Sequence, residues 1–323
     1  MTIHPVSRLV STLLAGALLA GAVPAAAASL LQQPKYAAFM ADAETGEILY
    51  SRHADAERFP ASITKVMTLY MAFERLAAGT LKLDERVVFS RYAASQQPSK
   101  LGLRPGESLT VDQAIRSLTT KSANDVAVAL AEHMAGSEQE FGRLMTARAK
   151  ALGMHNSRFV NPNGLPDSRQ VTTARDIFVL SQAMIRDFPQ YYAYFREPQF
   201  VFGNQTMRNH NHLLRTLPGV DGIKTGFTNA AGFTLTASAV RDGRRLIAVV
   251  LGGPSRLARD NNMESLLTAG FSVMAARDQG RQVQVADMLA EPGDLNDHIL
   301  QQLVEQGSGD PPPRTTAAQS RRR

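Results

Sequence analysis

Two stretches of β-alternation stand near opposite ends of this chain, with helix-period sequence between them, and that arrangement leaves few folds open. Near the start, "YAAFMADAETGEILYSR" from Tyr36 alternates about "ETG" and reads as a hairpin whose turn uses Gly46. Near the end, "GFTLTASAV", the turn "RDGR" and "RLIAVVLGG" form a second, stronger hairpin. Between them a helix beginning near Ser62 is closed by Gly79, "DERVVFS" is a short strand, and "TVDQAIRSLTT" is a helix opened by Thr110 or Asp112. Another helix runs from Ala123 to Met134 and stops at Gly136, and Ser137 with Glu140 makes a capping-box pattern for "SEQEFGRLMTARAKAL". The turn-rich "NPNGLPDS" precedes the amphipathic "TARDIFVLSQAMIRDF", which Pro189 ends, and Asn261 to Ala276 is a closing helix. Strands at both ends with helices between them predict an antiparallel sheet built from distant segments and covered by helices on its faces.

The two ends of the chain read differently. Residues 1–28 carry one early Arg8, an apolar run from Leu9 to Val23 and small residues at Ala26 and Ala28, the pattern of a secretory signal peptide cut after Ala28. Export to the periplasm or another extracytoplasmic cell-wall space is the expectation, since no later apolar run approaches a membrane span. Cysteine is absent, which excludes disulfides, thiol catalysis and zinc-thiolate sites. The formal charge of +6 is too weakly basic, and too poor in aromatic-basic clusters, to argue for nucleic acid. Residues 277–307 form a C-terminal extension with the short helical candidate "DLNDHILQQLVEQ", and residues 308–323 a disordered tail whose Arg314, Arg321, Arg322 and Arg323 make it a candidate for peripheral membrane contact.

Chemistry concentrates at three places. In "PASITKVMTLYMAFERL", Val66, Met67, Leu69, Tyr70, Phe73 and Leu76 supply the apolar positions of a core helix, yet its first turn holds Ser62 and Lys65, three apart and therefore neighbours on one face. A helix N-terminus disfavours a protonated lysine and favours negative charge developing on the serine. A second lysine lowers the first one's pKa further and lets it act as a neutral base. Lys224, in "GVDGIKTGFT" just before the strong hairpin, supplies that cation on an edge-strand end, followed by Thr225 and Gly226. Ser122 and Asn124, in "SAN", open a helix from which hydroxyl and amide project. Singly each has an ordinary structural explanation: a helix-terminal serine, a snorkelling lysine, a helix cap, a solvated strand end. "NHNH" puts His210 and His212 on one strand face, but no carboxylate or third histidine completes a metal site, so no metal or cofactor is expected.

Together "SITK", "SAN" and "KTG", in this order, resemble the three signature motifs of the penicillin-recognising active-site serine enzymes. The chain is most similar to the low-molecular-weight penicillin-binding proteins, the D-alanyl-D-alanine carboxypeptidases of serine peptidase family S11. That resemblance runs through "SANDVAVALAEHMAG", "GMHNSRFVNPNGLPD" and "VDGIKTGFTNAAGFTLTASA" and covers the chain from about Tyr36 to Ala276. It implies an α+β, three-layer α/β/α fold of the β-lactamase/transpeptidase type, with a helical subdomain, over residues 29–276. It further implies Ser62 as nucleophile toward peptidoglycan stem pentapeptides, Lys65 as its base, Ser122 as proton relay and Asn124 as a partner of Lys65 and the substrate amide. Lys224, Thr225 and Gly226 would hold the terminal carboxylate, and the backbone N–H groups of Ser62 and Phe227 the oxyanion. β-Lactam antibiotics would be slow covalent inhibitors. His210 stands where some relatives carry a basic side chain, and with fewer than fifty residues after Ala276 the β-rich second domain of larger relatives is not expected. The alternatives are a DD-endopeptidase of the same family or a catalytically inactive cell-wall-binding protein. A class A β-lactamase is disfavoured, because "NPNGLPDSRQVTTARD" has no Glu to activate a deacylating water.

Overall fold

A computed structural model describes residues 35–289; the expected signal peptide over residues 1–28, the helical candidate "DLNDHILQQLVEQ" and the basic tail lie outside the described residues. The first hairpin is β1 (Ala37–Asp42) and β2 (Ile48–Arg52). After a 3₁₀ turn, Ala61–Ile63, comes α1 (Thr64–Ala77). Then follow β3 (Arg86–Val88), α2 (Arg91–Ala94), β4 (Ser108–Thr110), α3 (Val111–Thr120), α4 (Asn124–Ala135), α5 (Glu138–Ala151) and α6 (Ala174–Asp187). A second 3₁₀ turn, Tyr192–Arg196, leads to β5 (Gln199–Phe202), β6 (Gln205–Arg208) and α7 (Leu213–Thr216). The chain closes through β7 (Val220–Thr228), β8 (Gly232–Arg241), β9 (Arg244–Gly253), α8 (Arg256–Asp278) and α9 (Val285–Met288).

The main sheet is antiparallel and five-stranded, in the order β2-β1-β9-β8-β7, so the N-terminal hairpin joins the C-terminal meander through β1 and β9. Strand alternation then sorts side chains into two cores. Ala38, Met40, Leu246, Ala248 and Val250 pack with Met263, Leu266, Leu267 and Val273 of α8 on one face. Phe39, Ala41, Ile247, Val249 and Leu251 pack with the helical region on the other. Both faces are covered, which is why "RLIAVVLGG" reads as an unbroken apolar run rather than an alternating one. The result is the three-layer α/β/α arrangement.

At the centre of the helical region α1 is buried from Thr64 to Phe73, polar residues included. Each large apolar side chain it submerges contributes roughly 1.5–3 kcal/mol relative to exposure, so the helix that carries Lys65 is among the best anchored elements of the fold.

Several expectations are corrected. Ser62 lies in the 3₁₀ turn Ala61–Ile63 that runs directly into α1, with Ala61 at φ +47, rather than in the α-helix itself. Lys224, Thr225 and Gly226 lie inside the edge strand β7, not at its end. His210 and His212 share no strand: β6 ends at Arg208, and His212 is the N-cap of α7. The closing helix begins at Arg256, five positions earlier than read, with the Ser255 hydroxyl accepting from Ala258 N. Ser137 accepts from Glu140 N as a cap, but the Glu140 carboxylate turns to Arg143 instead of completing the box. The strand in "DERVVFS" pairs with β4 in a separate ribbon, and the β5–β6 hairpin had no counterpart in the sequence reading.

Candidate active site

The motif residues converge on one cleft of about 370 Å³, lined by Ser62, Ser122, Asn124, Thr225, Gly226 and Phe227 among others. Lys65 lies beneath it, with no exposed surface. Its Nζ stands 3.1 Å from Ser62 Oγ and 2.7 Å from Asn124 Oδ1, and donates to the backbone carbonyl of Asn163, distant by 98 positions in sequence. Two carbonyl oxygens absorb the two N–H groups of a neutral amine, which leaves its lone pair for the Ser62 hydroxyl. Burial draws the Lys65 pKa well below the ordinary lysine value, the charge of Lys224 presses the same way, and Asp125 opposes them. Amine and hydroxyl thus stand in contact, and among the described residues no carboxylate hydrogen-bonds the amine.

Asn124 is the first residue of α4, and its orientation is fixed by the donation of its Nδ2 to Gln97 O at 2.9 Å. Ser122 precedes the helix with φ +62, and its buried Oγ has no hydrogen-bond partner. A buried hydroxyl normally finds one, so this group is available to a ligand entering the cleft.

Two glycines clasp the turn that holds Ser62. A Cβ on Gly164, which has φ +84, would come 1.9 Å from Ala61 O, and a Cβ on Gly226 would come 2.8 Å from Ser62 N and 2.6 Å from Thr234 Oγ1. The loop carrying Gly164 is fastened to α1 by Thr68 Oγ1, which donates to Pro162 O at 2.7 Å, and is braced within itself where Asn161 Oδ1 accepts from Gly164 N at 2.8 Å and Asn163 Oδ1 accepts from Leu165 N at 2.9 Å. The polar positions 65 and 68 of a buried helix both serve that attachment.

Across the cleft, Lys224 donates to Thr225 O at 2.9 Å, and burial followed by the charge of Arg259 lowers its pKa to about 7. Arg259, 3 % exposed, is gripped by Asp260 and donates to Thr234 O at 3.3 Å, presenting a further cation to the cleft. Phe227 is 51 % exposed at the mouth, with its ring 4.3 Å from that of Phe233. Desolvation at the cleft wall, then the charges of Lys224 and Lys121, draw His210 down to about 4, so it is neutral at physiological pH. Among the described residues no cluster of three or more His, Cys, Asp or Glu is placed to hold a metal.

Sequence reasoning passed over Asn163, Gly164, Thr234 and Arg259. Only "NPNG", with a glycine suited to positive φ, carried a signal. Arg259 on α8 reaches the site through the fold alone.

The family model for D-alanyl-D-alanine carboxypeptidase, peptidase family S11, matches residues 25–255. The chain is 36% identical over 278 residues to D-alanyl-D-alanine carboxypeptidase DacF of Bacillus subtilis, an alignment covering 82% of this chain and 71% of that protein. It is 39% identical over 237 residues to DacC of Escherichia coli, covering 71% of this chain and spanning only 59% of that relative's length. Penicillin-Binding Protein D2 of Listeria monocytogenes, solved in its cefotaxime-bound form, superposes with a TM-score of 0.67 at 31% identity, over 73% of this chain and 96% of that one. With these likenesses added to the convergence of "SITK", "SAN" and "KTG" on one cleft, the chain belongs to peptidase family S11, the D-alanyl-D-alanine carboxypeptidases.

Proposed function

We propose that this protein is an exported serine-type D-alanyl-D-alanine carboxypeptidase that removes the terminal D-alanine from peptidoglycan stem pentapeptides. Ser62 Oγ attacks the carbonyl carbon of the penultimate D-alanine as its proton passes to the neutral amine of Lys65. The backbone N–H groups of Ser62 and Phe227 receive the oxyanion, each such donor contributing about 3–4 kcal/mol to the barrier reduction. As the C–N bond breaks, the departing nitrogen takes its proton through Ser122, and D-alanine leaves with its carboxylate released from Lys224 and Thr225. Gly226, lacking a side chain, lets that carboxylate approach, and Arg259 adds positive potential. Water then adds to the Ser62 ester as its proton passes to Lys65, and Lys65 returns that proton to Ser62 Oγ as the acyl C–O bond breaks, restoring the neutral amine and the free hydroxyl.

The observation that carries this reading is the 3.1 Å contact between the buried Lys65 amine and Ser62 Oγ. β-Lactams would enter as carbonyl mimics whose leaving nitrogen stays tethered, so the acyl-enzyme persists. Export rests on the signal-like residues 1–28, and peripheral membrane contact on the basic tail. Purified protein offered a stem pentapeptide should release D-alanine and accumulate a one-to-one penicillin adduct. Absence of both would leave a cell-wall-binding protein.

A further inference from the structure

The direction of the Lys65 lone pair is set by the amine's two acceptors, Asn124 Oδ1 and the backbone carbonyl of Asn163. Neither acceptor belongs to α1, so each has to be held by something else. For Asn124 that is Gln97 O, which accepts from Asn124 Nδ2 at 2.9 Å. The residue before it serves the other acceptor: the buried Gln96 accepts through Oε1 from Asn163 Nδ2 at 3.2 Å, and its own Nε2 donates to Tyr92 O at 3.3 Å. Two consecutive residues just after α2 therefore tie Asn124 and Asn163 to one short piece of backbone. From the other side the loop is closed by Gln170, also buried. Its Oε1 accepts from Val160 N at 2.9 Å and Asn161 N at 3.1 Å, and its Nε2 donates to Asn161 Oδ1 at 3.1 Å and to Thr64 Oγ1 at 3.4 Å. Every hydrogen-bonding position of its amide is used. Asn161 Nδ2 in turn donates to Leu165 O at 3.0 Å, so the turn that presents the Asn163 carbonyl is bridged across its base.

Buried amides normally find partners, so these bonds singly describe only a well-packed loop. What sets them apart is where they converge: one glutamine reaches the side chain of Asn163, and the other spans the flanks of Asn163 and the residue before Lys65. We propose that Gln96 and Gln170 are positioning residues for acylation: without touching Lys65, they hold the Asn163 carbonyl at the angle from Asn124 Oδ1 that aims the Lys65 lone pair at Ser62 Oγ. This rests on the acylation chemistry proposed above. Neither side chain carries charge, so the contribution is geometric. When the carbonyl is loosened the amine can turn, and orientations that point the lone pair away from Ser62 become populated. Proton transfer then slows, while Lys224 and Thr225 on the far wall of the cleft are left as they were.

The test follows penicillin acylation by rapid mixing in wild type, Gln96→Met, Gln96→Glu and Gln170→Met, at a pH above the acid limb, with a thermal melt of each. Met keeps the length of the side chain and removes its polar atoms; Glu keeps the oxygen that accepts from Asn163 Nδ2. At saturating penicillin the acylation rate constant of Gln96→Met should fall by about tenfold, part of the roughly hundredfold that a full 1 Å misplacement costs, while the half-saturating concentration stays within about twofold. Gln96→Glu should recover most of the rate. Gln170→Met should lose at least as much rate and also melt lower, because two buried N–H groups lose their acceptor; the Gln96 pair decides the matter if that variant does not fold. A Gln96→Met enzyme that acylates at the wild-type rate, a loss confined to the half-saturating concentration, or a Gln96→Glu enzyme no faster than Gln96→Met overturns the assignment. A folded wild type that forms no penicillin adduct overturns the underlying acylation reading instead, so the two failures appear in different proteins.

Discussion

The side-chain amines of Lys65 and Lys224 are both buried under one cleft, and among the described residues no carboxylate lies in hydrogen-bonding contact with either. Burial and Lys224 together hold Lys65 toward its neutral form, so acylation should have an acid limb that reports Lys65. A base with a lowered pKa loses activity as pH falls through that pKa. Lys224→Gln removes a charge that lowers it, so the limb should move to higher pH. The second-order rate constant of penicillin acylation, measured against pH for both proteins, checks the direction; an unmoved limb would mean that Lys224 does not set the protonation of Lys65.

Removing the proposed nucleophile, Ser62, separates chemistry from folding. Ser62 is half-buried and its hydroxyl's recorded bond is to Lys65, so Ser62→Ala leaves the core intact. Acylation should fall by roughly 10⁴-fold or more, as in other enzymes whose serine and base act as a unit. Lys65→Met should cost nearly as much, and the double variant little more than either. Mass spectrometry of the penicillin adduct and a thermal melt of each variant supply the comparison, and additive losses would contradict a shared step.

Gly164 and Gly226 both press on the turn at Ala61 and Ser62, but substitution should hurt in different ways. Gly164→Ala places a side chain at φ +84 against a backbone carbonyl that cannot yield, so folding itself should suffer, by about 2–4 kcal/mol. Gly226 has an ordinary φ, and its new methyl would meet Ser62 N and the Thr234 hydroxyl. Gly226→Ala, free of the positive-φ strain, should lose less stability than Gly164→Ala yet acylate about a hundredfold more slowly, since misplacing a reacting group by about 1 Å costs that much. Denaturant midpoints and acylation rates, taken together, distinguish the two.

How far the sequence disclosed this site depends on where its parts sit along the chain. Ser62 and Lys65 are neighbours three apart, so local spacing revealed them, and the end-to-end β patterns revealed that β1 must find β9. The contact between Lys65 and Asn163 spans 98 positions, and Arg259 enters from a helix on the opposite face of the sheet. Nothing in local periodicity encodes such meetings. The β5–β6 hairpin escaped notice because "QFVFGNQTMR" is short and mostly exposed, with little apolar alternation for burial to enforce. His210 misled for the converse reason: a period-two pair suggests a strand, but Asn209 and Asn211 hold the segment as a turn through Asn211 N to Asn209 Oδ1.

Asp125 couples the stability of the cleft wall to its electrostatics. Its fully buried carboxylate accepts from Leu101 N at 2.9 Å, Gly102 N at 2.8 Å and Val126 N at 2.9 Å, tying the loop before β4 to the start of α4. Asp125→Asn keeps the shape but turns an amide N–H₂ toward a backbone donor, leaving at least one buried N–H without an acceptor. That should cost about 2–3 kcal/mol, or a fall in Tm of roughly 5–10 °C for a domain of this size. The same carboxylate raises the pKa of Lys65, so its loss should move the acid limb of acylation to lower pH, opposite to Lys224→Gln. A less stable protein with a more readily deprotonated base is therefore expected, and melting curves with pH-dependent acylation on one preparation test both halves. A limb that moves upward would show that Asp125 acts on Lys65 through position and not through charge.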